Sequence, residues 1–142
     1  MFDAATGVLT FEQPPVTIAP RLTRDLFANS SMVARATTAS DPNGKYHKWR
    51  LRQCRSAGVA FFVEITFEEQ RLMMLMMADE NPRFGTSWAD HSLEKEMARK
   101  ASHDAWLTRT LGPQREFPWG KVWSGYEDRS GGSSIVVYPE AG

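Results

Sequence analysis

The sequence predicts a single α+β domain over residues 1–142, an antiparallel sheet with one short and one long helix packed on it. Residues 59–68 alternate between apolar and polar side chains, which is typical of a strand with one partly polar face. Residues 72–77 form an unbroken apolar run that predicts a strand buried on both faces. Residues 93–111 repeat apolar side chains at helical spacing. The predicted order is β-β-α-β-β-β-α-β-β.

Composition is that of an ordinary globular protein. The 142 residues are 42% hydrophobic and 24% charged, and no apolar run approaches the roughly 20 residues of a transmembrane helix. The N-terminus lacks the basic and apolar stretches of a secretory signal, so we expect a cytoplasmic protein without membrane association. Cys54 is the only cysteine, which excludes an internal disulfide and a cysteine-built zinc site.

Charge is balanced overall but divided unevenly along the chain. Residues 1–56 hold 8 of the 17 Lys and Arg but 4 of the 17 Asp and Glu, so they carry +4 and the remainder carries −4. A fold that separates these parts would have a basic face and an acidic face. If their strands interleave, the charges instead pair internally.

The first third of the chain predicts short elements. Residues 7–11 and 16–18 alternate around a pair of prolines, and this favours two edge-like strands that flank the main sheet. Residues 23–30 predict a short helix with Thr23 as its N-terminal cap. Residues 31–44 are rich in turn-forming side chains and predict a loop.

A strand over residues 45–55 precedes the central hairpin, so three consecutive antiparallel strands are expected to form a meander. The period-2 pattern places Trp49 toward the core and Cys54 on the opposite, charged face. Glu64 and Glu68 of the following strand would then lie across from basic side chains. Such opposite-charge pairs contribute roughly 0.2–1 kcal/mol each.

A long helix and a closing hairpin complete the chain. Ser87 and Asp90 have the spacing of a capping box at the helix start, and Gly112 marks its end. Residues 117–126 and 134–138 predict the two strands of the last hairpin. The helix has an apolar stripe suited to packing on a sheet, made of Leu93, Met97, Ala101, Leu107 and Leu111.

The residue types that carry chemistry form no complete site, so we expect no enzyme activity, no metal and no cofactor. His91 and Glu94 share a helix face but lack a third metal ligand. His103 and Asp104 could pair as base and orienter of a hydrolase, although no nucleophile accompanies them. Asp104 is alternatively a buried carboxylate bonded to Arg or Trp donors. Residues 129–134 contain glycines and serines without the spacing of a phosphate-binding loop.

The basic strand over residues 45–55 offers an alternative function. Its cations could neutralise phosphates while Tyr46 and Trp49 stack on bases, which would make the protein a small nucleic-acid-binding module. Pairing with the acidic side chains of the next strand explains the same pattern without nucleic acid, and the chain as a whole is neutral.

Motifs in the C-terminal half resemble those of a known family. They are Gly85–Ser92 with its Trp-x-Asp, Glu94–Glu96, Arg99–Lys100, His103–Asp104, Trp106–Leu107, and the Trp-Ser-x-Tyr hairpin of Trp119–Tyr126 with Ser133–Val136. The chain resembles, from about Thr23 to Val137, a family of small, largely uncharacterised bacterial proteins. Some of these look like immunity proteins of contact-dependent or secreted toxin systems, such as type VI secretion. The resemblance implies a stoichiometric inhibitor, or antitoxin, that binds one cognate toxin and catalyses no reaction.

An inhibitor of this kind needs an exposed patch with a few aromatic or charged anchors. The candidates lie on the loop before the long helix, on the helix face away from its apolar stripe, and at the tip of the last hairpin. They are Phe84, Trp88, Asp90, Trp106, Glu127, Asp128 and Arg129. Acidic anchors would suit a basic nuclease toxin. Alternatively, Trp88 and Trp106 pack against the last hairpin beside Trp119 and Trp123.

Overall fold

Nine strands, two α-helices and three short 3-10 helices occur in the computed structural model, which describes residues 1–13, 15–38 and 44–140. The strands are β1 (Leu9–Phe11), β2 (Val16–Ile18), β3 (Thr37–Thr38), β4 (Tyr46–Ser56), β5 (Val59–Glu68), β6 (Arg71–Asp79), β7 (Glu116–Phe117), β8 (Gly120–Glu127) and β9 (Gly132–Pro139). The helices are α1 (Arg24–Ala28) and α2 (Leu93–Leu111), with 3-10 turns at Ser31–Arg35, Pro82–Phe84 and Trp88–Asp90. The loop predicted over residues 31–44 is wrong in its first part, because a 3-10 helix and β3 form there. Residues 39–43 of that prediction lie outside the described residues.

Seven of these strands form one antiparallel sheet, and this confirms the predicted α+β class. Their order is β3-β4-β5-β6-β9-β8-β7, so the predicted meander lies directly beside the predicted closing hairpin. β1 and β2 form a separate two-stranded sheet, tied to β4 by an isolated bridge between Gln13 and Arg55. β3 and β7 are only two residues each, too short to produce an alternating pattern in the sequence. In the described ranges, no helix has both the length and the apolar character needed to cross a membrane.

The core lies on one face of the seven-stranded sheet. Its inward side chains on the sheet are Trp49, Leu51, Cys54, Phe61, Val63, Ile65, Phe67, Leu72, Leu75, Met77, Val122, Ile135 and Val137. Phe27 of α1 packs on two of them, with ring centroids 5.2 Å from Trp49 and 6.0 Å from Phe67. The inward side chains of β1, β2 and α2 join the same cluster. Each buried aromatic pair adds about 0.5–1.5 kcal/mol to the free energy of burial.

A β-bulge in β4 reverses the side-chain alternation that the sequence predicts. The register with β5 shifts just before Cys54, where Gln53 has a φ of 54°. Glu80 holds this bulge because its carboxylate accepts the Gln53 backbone N–H (2.6 Å) and pairs with Arg52 (2.8 Å). The predicted outward orientation of Cys54 is therefore wrong. Its side chain is buried, and burial raises the pKa of the thiol to about 11.

The opposite face of β4 and β5 carries the predicted ion pairs. The Glu64 carboxylate lies 2.8 Å from Arg50 and 3.7 Å from Lys48. The Glu68 carboxylate lies 3.9 Å from Lys45. The uneven charge along the chain is thus largely an internal pairing of one basic strand with the acidic side chains of its neighbour.

The sheet face opposite the core becomes apolar along β6. The prediction that β6 is buried on both faces is wrong. Its inward positions 72, 75 and 77 are buried, whereas Met73, Met74 and Met76 are half-buried. The reason is that α1, α2 and the β1–β2 pair contribute to the core on the other side of the sheet. Met76 pairs across to Val136, which pairs to Trp123, and the Trp123 side chain is 42% exposed.

Helix α2 begins later than predicted and buries a different face. Ser87 and Asp90 do form a capping box, but it caps the 3-10 turn at Trp88–Asp90. The N-cap of α2 is Ser92, whose Oγ accepts the Lys95 N–H at 3.1 Å. The predicted stripe is wrong at three of its five positions, because Leu93, Met97 and Ala101 are exposed. The buried side chains of α2 are Glu96, His103, Trp106, Leu107 and Leu111.

Candidate protein-binding surface

The loop between β6 and α2 is held in shape by one carboxylate. Asp90 Oδ1 accepts hydrogen bonds from the backbone N–H groups of Ser87 (2.9 Å) and Thr86 (3.0 Å). These bonds hold the pKa of Asp90 below its ordinary value. Lys95 Nζ donates to the Asp90 carbonyl oxygen at 2.8 Å. Asp90, a predicted site residue, therefore shapes the loop that presents Trp88.

Trp88 lies at the apex of this loop with 73% of its surface exposed. One side of its indole contacts His91, with ring centroids 4.6 Å apart, and His91 Nε2 donates to the Gly131 carbonyl oxygen at 2.6 Å. A Cβ at Gly131 would lie only 2.8 Å from the indole, and the φ of this residue is 69°. Glycine at this position thus lets the β8–β9 turn approach the loop closely.

The turn between β8 and β9 completes the surface. Residues 127–130 are exposed, and the Gly131 N–H donates to the Glu127 carbonyl oxygen at 2.9 Å. Among the described residues, no opposite charge lies within 4 Å of the side chains of Glu127, Asp128 or Arg129. We name Trp88, His91 and residues 127–131 the Trp88 surface. The structure therefore brings together two segments that the sequence predicts only separately.

Two predicted site residues are buried and cannot anchor a partner. Phe84 is 4% exposed, so only its backbone contributes to the loop. The prediction that Trp106 points outward is wrong, because its side chain is fully buried. Its Nε1 donates to the Ser56 carbonyl oxygen at 2.9 Å, and its ring lies 5.0 Å from Phe61. The expected orientation followed from an apolar stripe of which only Leu107 and Leu111 are buried.

A buried polar network lies beneath the Trp88 surface, and the sequence analysis missed it. Glu96 Oε1 accepts the Ser133 N–H at 2.9 Å, and Ser133 Oγ donates to the Glu96 carbonyl oxygen at 2.7 Å. The Glu96 carboxylate also pairs with Arg99. Arg99 donates to three backbone carbonyl oxygens at 3.0–3.1 Å, those of Asp79, Phe84 and Gly85. The spacing of Glu96, Arg99 and His103, which places them along one helix face, is the sequence feature that could have predicted this network.

This network fixes the base of the loop to the sheet. Asp79 ends β6, and its carboxylate accepts Ser102 Oγ at 2.7 Å and the Asn81 N–H at 2.9 Å. The Asp79 backbone N–H donates to His103 Nε2 at 2.9 Å. A neutral His103 therefore carries its proton on Nδ1. The loop that presents Trp88 consequently starts from a position fixed by hydrogen bonds on both sides.

The His103 imidazole should make stability depend on pH. Burial lowers its pKa from 6.5 to about 4, against the opposing charges of Asp79, Asp104 and Glu96. Between these values the unfolded chain binds a proton that the folded chain does not. The free energy of unfolding should therefore fall by about 3 kcal/mol as the pH falls from 7 to 4.

Urea titrations across this pH range measure the effect, with His103→Gln as the matched variant. The glutamine carbonyl can still accept the Asp79 N–H but has no proton to gain. A variant with the same pH dependence as the wild type would contradict the assignment.

The structure separates the two residues of the hydrolase hypothesis. His103 bonds to the Asp79 backbone, whereas Asp104 accepts Lys100 Nζ at 2.8 Å and Ser124 Oγ at 2.6 Å. The prediction for Asp104 is thus wrong in both parts, because its side chain is 43% exposed and its donors are Lys and Ser rather than Arg or Trp. Since His103 is fully buried, its imidazole has no path to a substrate.

No family model, curated protein or solved structure matches this chain in comparisons with known proteins. Within the described part of the chain, no three His, Cys, Asp or Glu side chains are grouped to bind a metal. The fold and the site define an antiparallel α+β protein with an exposed tryptophan surface.

Proposed function

We propose that this protein is an immunity-type binding protein that neutralises a cognate bacterial toxin by stoichiometric occlusion in the cytoplasm. The observation that carries the proposal is the Trp88 surface, in which an exposed indole stands beside an exposed turn whose charges form no ion pair within the described residues. The motif resemblance points to the same function. A toxin that covers this surface would bury Trp88 at the centre of the interface.

Trp88 has the properties of an interface anchor. Tryptophan is enriched among residues whose truncation costs at least about 2 kcal/mol of binding free energy. Its indole is supported on one side by His91 and Gly131 and is free on the other. This support limits the rotamer freedom that binding would remove, so more of the contact energy goes into affinity.

The charges beside Trp88 suggest the kind of toxin. Glu127 and Asp128 are exposed on the turn together with one cation, Arg129. Exposed carboxylates favour a basic partner, such as a nuclease toxin, because complementary charge speeds association. The association rate should therefore fall as the salt concentration rises.

The nucleic-acid alternative is less favoured by the geometry of β4. Arg50 and Lys48 share Glu64, Arg52 pairs with Glu80, and the Trp49 side chain is buried. This strand therefore offers fewer free cations, and fewer stacking faces, than its sequence suggests. We retain the toxin inhibitor as the one proposed function.

Co-expression with the product of the adjacent open reading frame tests the proposal. We expect a one-to-one complex with a dissociation constant in the nanomolar range, about −12 kcal/mol, and survival of cells that express the toxin. The test variant carries two changes, Trp88→Ala and Asp128→Lys. It should fold normally but no longer protect cells from the toxin. Cells killed equally with and without the wild-type protein would contradict the proposal for that toxin.

A further inference from the structure

A groove distinct from the Trp88 surface runs along the outer side of α2. It lies between this helix, the β4–β5 turn and residues 79–84, and has a volume of about 1170 Å³. Small and apolar side chains form much of its lining, namely Val59, Ala60, Pro82, Ala98, Ala101 and Ala105. Small-molecule sites usually enclose about 300–1,000 Å³ and bury most of their ligand. This open groove is better matched to a segment of polypeptide.

The carboxylates that line the groove are mostly engaged by the protein itself. Asp79 is bonded to Ser102 and to the backbone of Asn81. Glu80 accepts the Gln53 N–H and pairs with Arg52, and its side chain is only 7% exposed. These two carboxylates therefore add little negative charge that an approaching ligand would meet.

The cations that line the groove are not paired in this way. Arg55, Arg83, Lys95 and Arg109 all face it, and among the described residues none has a carboxylate within 4 Å. Three of them are positioned by other contacts. Arg83 lies over the Phe84 ring, whereas Lys95 and Arg109 each donate to a backbone carbonyl oxygen. Glu94 is the one remaining carboxylate of the lining. The groove thus presents an excess of fixed positive charge.

We infer that this groove binds an acidic segment of a polypeptide partner, with carboxylates reaching the four cations and the segment backbone lying along the alanine side of α2. Small side chains there let a backbone approach closely, and carboxylates accept hydrogen bonds from Arg and Lys. Among the described residues that line the groove, the one aromatic side chain, Phe84, is buried and offers bases no face on which to stack, which favours polypeptide over nucleic acid. The inference does not depend on the proposed function, since it concerns other residues and a partner of opposite charge.

Fluorescence anisotropy with a labelled peptide of alternating glutamate and alanine tests the inference without any toxin. At low salt we expect saturable binding that weakens as salt is added. The double variant Arg55→Glu with Arg109→Glu should lower the affinity by about tenfold or more. The matched control, Arg21→Glu with Lys121→Glu, makes the same change in net charge at exposed positions outside the groove and should bind as the wild type does.

Three results would overturn the inference. The first is an equal loss of affinity in the control double variant, which would indicate general electrostatic attraction. The second is an absence of peptide binding at low salt. The third is displacement of the peptide by oligothymidine. Thermal melts of both double variants establish that each is folded. Because the probe is a peptide alone, failure here and failure of the toxin complex are separate outcomes.

Discussion

Replacing Trp106 by alanine should lower the free energy of unfolding by roughly 3–5 kcal/mol, the largest effect of any single tryptophan. The indole is fully buried between α2 and the sheet, against Phe61 and Phe2. Truncation leaves a cavity and also removes the indole N–H that donates to the Ser56 carbonyl oxygen. Urea denaturation followed by circular dichroism measures the change.

Trp88→Ala is the matched control, because it removes the same side chain from an exposed position. We expect it to change the free energy of unfolding by less than about 0.5 kcal/mol. Trp106→Phe should fall between the two, since it keeps a ring but loses the N–H donor. Equal stability of the Trp88→Ala and Trp106→Ala proteins would contradict the placement of both residues.

Replacing Glu96 by alanine should be the second severe change, at about 3 kcal/mol or more. Glu96 is only 4% exposed. Its carboxylate pairs with Arg99 and accepts the Ser133 N–H. Removing it leaves a largely buried guanidinium without its counter-charge and a buried N–H without an acceptor. The carbonyl oxygens that Arg99 also contacts reduce this cost but cannot replace a carboxylate.

Two controls separate the buried charge from helix propensity. Glu94→Ala alters an exposed carboxylate in the same helical turn and should cost below about 1 kcal/mol. Glu96→Gln keeps an acceptor for the Ser133 N–H and should be less harmful than Glu96→Ala. If the two alanine variants had the same stability in thermal and urea unfolding, the network would not hold α2 on β9 as described.

Hydrophobic pattern was sufficient to predict the long strands of the sheet but not β3, β7 or the buried face of α2. The alternation of β5 and the closing hairpin are apolar patterns that reflect burial directly, so β5 and the β8–β9 hairpin were predicted. The strand predicted over residues 117–126 is, however, divided between β7 and β8. On α2, Glu96 and His103 occupy core positions because Ser133 of β9 and Asp79 of β6 supply their hydrogen-bond partners. Those partners come from distant parts of the chain, so helical spacing alone assigned the stripe to Leu93 and Met97.

The candidate site also depends on contacts between segments that are distant in the sequence. The Phe84–Asp90 loop and the β8–β9 turn were each predicted, yet their contact through His91 and Gly131 spans 40 residues of sequence. Local turn signals carry no information about such a contact. Cys54 was misplaced for a related reason, since the bulge before it depends on Glu80, which follows the end of β6.

The affinities of three proteins for the cognate toxin test the central claim most directly. The wild type, Trp88→Ala and Trp123→Ala are compared by calorimetry, because Trp123 is also exposed but lies on the open face of the sheet. The Trp88 surface predicts a loss of about 30-fold or more for Trp88→Ala and a change within about threefold for Trp123→Ala. Unchanged affinity for Trp88→Ala with a large loss for Trp123→Ala would move the interface to the sheet face and contradict the account.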